Sequence, residues 1–420
     1  MYRTHSAATC AVFLVFCLIQ LGCLQSRQDQ EHWDRFRGPN GSGVSSATSI
    51  PAKWRDEDFN WKLKLPGIGH SSPVVWGNKV FVTSGDPESG TRTILCVDTA
   101  GKERWRSEFP AAKHEIHVHN SFASATPAVD AGRVYVAWGT PDELAIMALD
   151  HLGGLVWRAD LGPFKAGHGF GASPIVHGNL LIVPNDQGGE SVLVGMNRFT
   201  GDVMWRVPRE SQTSYATPCV YRRPSGDYDL VFTNWNHGIT AIDPLEGRTT
   251  WEGDVFDRGH IECAIASPIV ADGVVFATAG WLGVKNEVVA VRPAVDGASV
   301  EELFRIERSA PLVPTPLAVD GLLFLWDDVG IVTCADVTSG EIYWKQRVGG
   351  SYYGSPVWVG GRLYAVSIDG EVCVLAASPT FRVLARNQLG EGSHSTPAVA
   401  GDRMYIRTFS HLISVGGRDS

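Results

Sequence analysis

The sequence predicts an all-β chain folded as an eight-bladed β-propeller of four-stranded blades, and three observations predict it. A Ser/Thr-Pro pair leading into a short apolar strand and a Gly turn occurs eight times, at Pro73, Pro127, Pro174, Pro218, Pro268, Pro316, Pro356 and Pro397. Neighbouring prolines stand 40 to 54 residues apart, the length of one four-stranded blade. Second, Gly101, Gly153, Gly201, Gly247 and Gly340 each stand four residues before a tryptophan: Trp105, Trp157, Trp205, Trp251 and Trp344. Third, the eighth unit supplies only three strands, while Phe59–Leu65 reads like the missing fourth. Trp61 sits 12 residues before Pro73, as Trp344 sits 12 before Pro356. An N-terminal strand therefore completes the last blade and closes the ring, which leaves no open edge.

In chain order, residues 1–23 read as an export leader. Arg3 and His5 precede an uncharged run from Ala7 to Gly22, placed like a signal-peptide h-region rather than a spanning helix. Leu21-Gly22-Cys23 resembles the lipobox of bacterial lipoproteins, with Gln20 where that pattern prefers Leu. The resemblance implies lipidation of Cys23; an uncleaved anchor would give the same topology. The expectation is a body in the periplasm or anchored to the outer membrane. Residues 24–58 form an N-terminal strap. Its Gly-rich stretch Phe36–Gly43, with Arg37, lines a pocket or pins the strap to the ring. It is not a phosphate loop, since it lacks the Lys and the following helix.

Residues 59–416 are the propeller and 417–420 a tail. In the first unit, Pro73 opens strand one, where it need not donate to the ladder. Lys79–Thr83, Thr93–Asp98 and Glu103–Phe109 then alternate like strands two to four. Each turn Gly supplies positive φ for a tight hairpin, and each Trp fills the gap between blades. The fifth unit departs with Leu303-Phe304 and the seventh with Leu384.

Composition removes several classes of function. With 36 basic against 45 acidic side chains and no Lys/Arg run, the chain lacks the clustered cations that nucleic acid requires. Beyond the leader (Cys10, Cys17, Cys23), Cys96, Cys219, Cys263, Cys334 and Cys373 are odd in number and widely scattered. They signal neither a disulfide framework nor a zinc knuckle. Cys96, Cys334 and Cys373 lie in apolar runs and read as small buried hydrophobes. HExxH, GxSxG and GxxxxGK[ST] are absent.

The Ser/Thr-Pro strand and the turn running from Asp336 through Gly340 to Trp344 resemble PQQ-like propeller repeats over about residues 33–416. These repeats are named after the pyrroloquinoline-quinone dehydrogenases. They are shared with the lipoprotein scaffold of the outer-membrane barrel-assembly machinery. The stretches Phe36–Gly43 and Asn120–Pro127 further resemble a subgroup of secreted bacterial propellers. The dehydrogenases carry an adjacent-Cys disulfide beside the quinone and a bound Ca²⁺. No Cys-Cys pair occurs here, so no quinone-binding residue carries over.

Functional residues are expected on the face where strand four of one blade leads to strand one of the next, on the long loops 107–125, 158–172 and 252–266. Three residues before each repeat Pro lies a ring at the channel mouth: His70, Ser124, Gly171, Tyr215, Ile265, Val313, Tyr353 and His394. Ring closure brings Tyr353, His394 and His70 together. Ligand-binding residues are thus expected among His70, Tyr215, Tyr353 and His394, where an anion, a metal or a peptide end could bind. In an extended loop His117 and His119 share a face, with His114 near enough to join a divalent metal; His168, His260 or Glu262 could complete it. Asp327-Asp328 and Asp186 with Glu190 are either carboxylate sites or solvated. Trp138, Trp235, Trp281 and Trp326 are candidate loop anchors. Two classes of function remain. One is an exported scaffold that binds an envelope protein or a polysaccharide. The other is an oxidoreductase or hydrolase that uses PQQ or a metal at the channel mouth.

Overall fold

The computed structural model describes residues 32–210, 212–256, 263–281, 286–294, 298–308 and 310–417. The leader with Cys23, and His260 and Glu262, lie outside them. The described chain forms eight antiparallel blades of four strands each. In blade 1 the strands are Val74–Trp76, Lys79–Gly85, Arg92–Asp98 and Glu103–Phe109, from the axis outwards. The two middle strands are buried almost throughout, because blades cover both their faces. The outermost alternates between half-buried and exposed residues, the pattern of a sheet edge with one face on a core. Helix is confined to two three-residue 3-10 turns among the described residues.

Ring closure is as expected. Phe59–Lys64 pairs antiparallel with His411–Gly416, Leu63 opposite Leu412, as the fourth strand of blade 8. The tryptophans bind neighbouring blades by a rule that recurs around the ring. Trp61, Trp105, Trp157, Trp205 and Trp344 each donate the indole N–H to a carbonyl in the next blade's turn, at Thr99, His151, Arg198, Pro244 and Ser378 (2.9–3.0 Å). Four of these rings also lie over that turn's glycine. A Cβ on Gly101, Gly153, Gly201 or Gly247 would come within 2.4–2.7 Å of them. The turn therefore needs Gly twice: for its positive φ and because the preceding blade's indole fills the place of a side chain. In blade 5 Phe304 takes this role, lying against Gly340 of blade 6.

Around the axis the Ser/Thr of each Ser/Thr-Pro pair joins its neighbours. The main-chain N–H of Ser72 donates to the Thr126 hydroxyl, Thr126 to Ser173, Ser173 to Thr217, and Thr217 to Ser267 (2.9–3.3 Å). Ser267 donates to Thr315, Thr315 to Ser355, Ser355 to Thr396, and Thr396 back to Ser72 (2.9–3.2 Å). Eight buried N–H groups are satisfied by one closed circle of hydroxyls.

The strap runs beneath this circle. His32–Trp33 pairs with the inner strand of blade 1, and Val44–Ser45 lies parallel to that of blade 7. Asn40 bonds both main-chain groups of Val220 in blade 4 (2.7 and 2.8 Å). Arg37, with no exposed surface, donates to the carbonyls of Gly41, Ser42, Thr315, Pro316 and Pro356 (2.8–3.2 Å). Burial alone pulls its pKa down to about 9, which leaves it protonated at neutral pH.

Candidate functional site: a cup at the axial mouth

Above the hydroxyl circle the axis opens into a cup of about 540 Å³. The circle rings its base and Phe36 of the strap forms part of the floor. All eight positions three residues before the prolines line it, from His70 to His394. Repeat phase explains this. Each Pro starts an inner strand, so a fixed count back from it reaches the same height on the mouth in every blade. The long loops then add His117, His119, Asn120 and His168 to the rim, and Cys263 and Trp281 to the wall.

His70, Tyr353 and His394 meet as expected: His70 and His394 lie 4.4 Å apart between ring centroids, and Tyr353 and His394 4.7 Å. Phe409 packs against both imidazoles (5.6 and 5.1 Å). The main chain of His119 lies beside both histidines, and its ring reaches Tyr353 (5.2 Å). Across the rim His117 touches His119 (5.1 Å) and His168 (4.3 Å), and His168 leads on to Tyr215 (6.1 Å). The expected residues thus join into one arc of imidazoles and phenols.

His114 leaves the expected trio. Its ring packs on Phe122 (5.0 Å), apart from the turn that spans His117–Asn120. Among the described residues no three His, Cys, Asp or Glu side chains are arranged to hold a metal ion. Three of the four proposed tryptophan anchors are also corrected: Trp138, Trp235 and Trp326 are buried between blades, and only Trp281 is exposed, at 39 %. Among the acidic residues named in the sequence, Asp328, Asp327 and Asp186 serve the fold, while Glu190 is exposed. Asp328 accepts the main-chain N–H groups of Leu312 and Val313 (2.7 and 3.0 Å), and Asp327 those of Val329 and Ile331 (3.0 and 2.8 Å). Asp186 forms a buried ion pair with Arg209 at 3.2 Å.

Among the described residues no Asp, Glu, Lys or Arg side chain lines the cup. Burial, then His394 and the nearby Arg407 guanidinium, pull the His70 pKa down to about 3. Burial and His119 pull that of His394 to about 4. Burial raises the Tyr215 and Tyr353 phenols and the Cys263 thiol. At neutral pH all of these are uncharged, so the cup presents hydroxyls, imidazoles, aromatic faces and aliphatic wall. Such a lining suits neutral side chains or rings. It does not fit pyrroloquinoline quinone. That cofactor is a polycarboxylate, and among the described residues the lining offers no cation to meet it, no carboxylate for an accompanying Ca²⁺ and no paired cysteines.

Sequence reasoning missed two parts of the site. The hydroxyl circle was visible as the Ser/Thr invariably preceding the repeat Pro; the proline drew the attention and the hydroxyl did not. Cys263 carries no signal of its own, because loop conformation alone puts it in the wall.

The family model described as outer membrane protein assembly factor BamB matches residues 90–346 and 284–415. Curated proteins of that name are similar at 22 % identity. One, from Legionella pneumophila, aligns over 44 % of this chain and 48 % of its own. Another, from Yersinia pestis, aligns over 50 % and 52 %. The chain thus spans about half the length of the curated relatives it matches. Among solved structures, BamB from Moraxella catarrhalis superposes with a TM-score of 0.62 at 15 % identity, over 86 % of this chain and 99 % of that one. The quinohemoprotein alcohol dehydrogenase from Comamonas testosteroni gives 0.63 at 14 %, over 94 % and 82 %. Both likenesses concern the fold.

Proposed function

The chain belongs to the family described as outer membrane protein assembly factor BamB, and on that premise we propose that it is an exported scaffold whose cup receives a protein segment. The observation that carries this reading is the aromatic-rimmed cup on the face bearing the long loops, whose described lining is uncharged. An exposed apolar or aromatic side chain of a partner would leave water there without meeting a buried charge, and the hydroxyl circle and imidazoles would take its main-chain groups. His70, Tyr215, Tyr353 and His394 are the proposed contacts. Export follows from the leader at residues 1–23, with Cys23 as the proposed lipid anchor. The partner belongs to the envelope, as the name of the relatives suggests.

Photo-crosslinking in the native envelope tests the reading. Val118, 82 % exposed on the loop between His117 and His119, reports on the cup face; Leu245, 87 % exposed in a blade 4 turn, reports on the opposite face. The expected result is a defined adduct from Val118 that disappears with Tyr353→Ala and has no counterpart from Leu245. Equal adducts from both positions, or a stoichiometric quinone or metal in the purified protein, would sink the proposal.

A further inference from the structure

Outside the cup, a second and much smaller cavity of about 10 Å³ lies between blades 1 and 2, room for a single water or monatomic ion. Arg92 lines it, 1 % exposed. Its guanidinium bonds the Gly90 carbonyl and sits over the Phe122 ring, 4.2 Å from the centroid. No carboxylate among the described residues lies within ion-pairing distance of it. The Arg92 Nε–H finds no partner in the protein. Trp138, on the same cavity and 5 % exposed, likewise has an indole N–H without an acceptor. Burial draws the Arg92 pKa down only to about 10, so the group stays cationic at neutral pH.

An unpaired buried cation is costly to desolvate, and each orphaned donor adds to that cost. The ring of Phe122 offsets part of the charge and neither orphaned N–H. A water could accept from both donors and meet the Ser121 and Ser124 hydroxyls that also line the cavity, but the charge on Arg92 would remain. A monatomic anion accepts from both, neutralises Arg92 and demands nothing in return. The volume excludes sulfate and phosphate. We propose that this cavity binds a halide, chloride in the cell, between Arg92 Nε and Trp138 Nε1.

The site would matter to the cup. Ile116 and Phe122, on the loop that carries His117 and His119, line the cavity, as does Phe170, two residues after His168. The ion therefore fastens both rim loops to blades 1 and 2.

The test uses the full chain at constant ionic strength, with chloride or bromide replaced by gluconate. Chloride and bromide are expected to raise the melting temperature in a concentration-dependent way, as ligands of the folded state do. Gluconate is not. Trp138→Phe, which keeps the packing and removes one donor, should weaken the apparent halide affinity about tenfold, and Arg92→Met should abolish the dependence. Crystals grown in bromide should show an anomalous peak in the cavity. Equal melting temperatures in chloride and gluconate, or a bromide crystal with only water there, would overturn the proposal. So would an unchanged halide response in Trp138→Phe, even if Arg92→Met fails to fold.

Discussion

His70 and His394 illustrate how a site built without fixed charge still carries a pH dependence. Both imidazoles have folded-state pKa values well below the ordinary 6.5, about 3 and about 4, because burial penalises the charged ring. A depressed pKa means that the unfolded chain binds protons first. The stability these residues contribute is therefore complete above pH 6.5 and lost as the pH falls towards 3–4. Asp328 acts with the opposite sign. Burial raises its carboxyl from 3.8 to about 6, so its protonation returns some stability as the pH falls through that range. Glu391 contributes only lower. Burial would raise it, but hydrogen bonds from Thr408, Ser410 and His411 hold it down at about 2, so its contribution fades below pH 4.5. We expect the melting temperature to drop between pH 6.5 and 4.5. The double variant His70→Asn/His394→Asn should show a visibly flatter profile than the parent. Parallel profiles would mean that the two rings are not held neutral. Their meeting was legible in the sequence because a fixed count from Pro73 and Pro397 places both on the mouth. The contact of His117 with His168 was not, since two long irregular loops decide it and neither has a period.

At the scale of the element, the Gly-to-Trp turn separates two requirements that sequence merges into one. Gly201 has φ +81°, and a Cβ there would fall 2.7 Å from Trp157; Gly178 has φ +56° and open space around it. Gly178→Ala should cost about 1–2 kcal/mol for the left-handed backbone alone. Gly201→Ala adds displacement of a packed indole and should cost about 2–4 kcal/mol. Urea unfolding of both variants gives the difference; similar costs would mean that the indole yields freely. The hydroxyl circle makes a parallel case. Thr126→Val strands the buried N–H of Ser72 and should cost about 1–3 kcal/mol, whereas Thr126→Ser should be close to neutral. Strands, turns and blade count were readable because the Ser/Thr-Pro strand recurs eight times and the Gly-to-Trp turn five, so that errors in one unit are corrected by the others. That the Trp serves the following blade's turn, bonding its carbonyl and covering its Gly, is a relation across a blade gap that no single repeat displays.

For the whole molecule, the decisive feature is that two N-terminal segments perform separable tasks. Phe59–Lys64 closes the sheet of blade 8, and Trp61 covers Gly101 of blade 1. The strap before it touches the inner strands of blades 1, 4 and 7. It also plants Arg37 among the carbonyls of Thr315, Pro316 and Pro356. Closure was legible from the missing fourth strand; the strap's path was not, since irregular backbone advertises no partner. A chain starting at Lys53 keeps the closing strand and loses the strap. It should remain monomeric with a lowered melting temperature, as buried main-chain groups lose their partners and the cup loses Phe36 from its floor. Starting at Pro66 additionally bares the edge of His411–Gly416 and the face of the blade 1 turn. An apolar edge with unpaired main-chain groups recruits other chains, so this form should run as oligomers in size-exclusion chromatography with light scattering. If both truncations stay monomeric with the same melting temperature, the closing strand contributes nothing to the ring beyond what the strap already supplies, and the toroid is held by the hydroxyl circle and the inter-blade indoles alone.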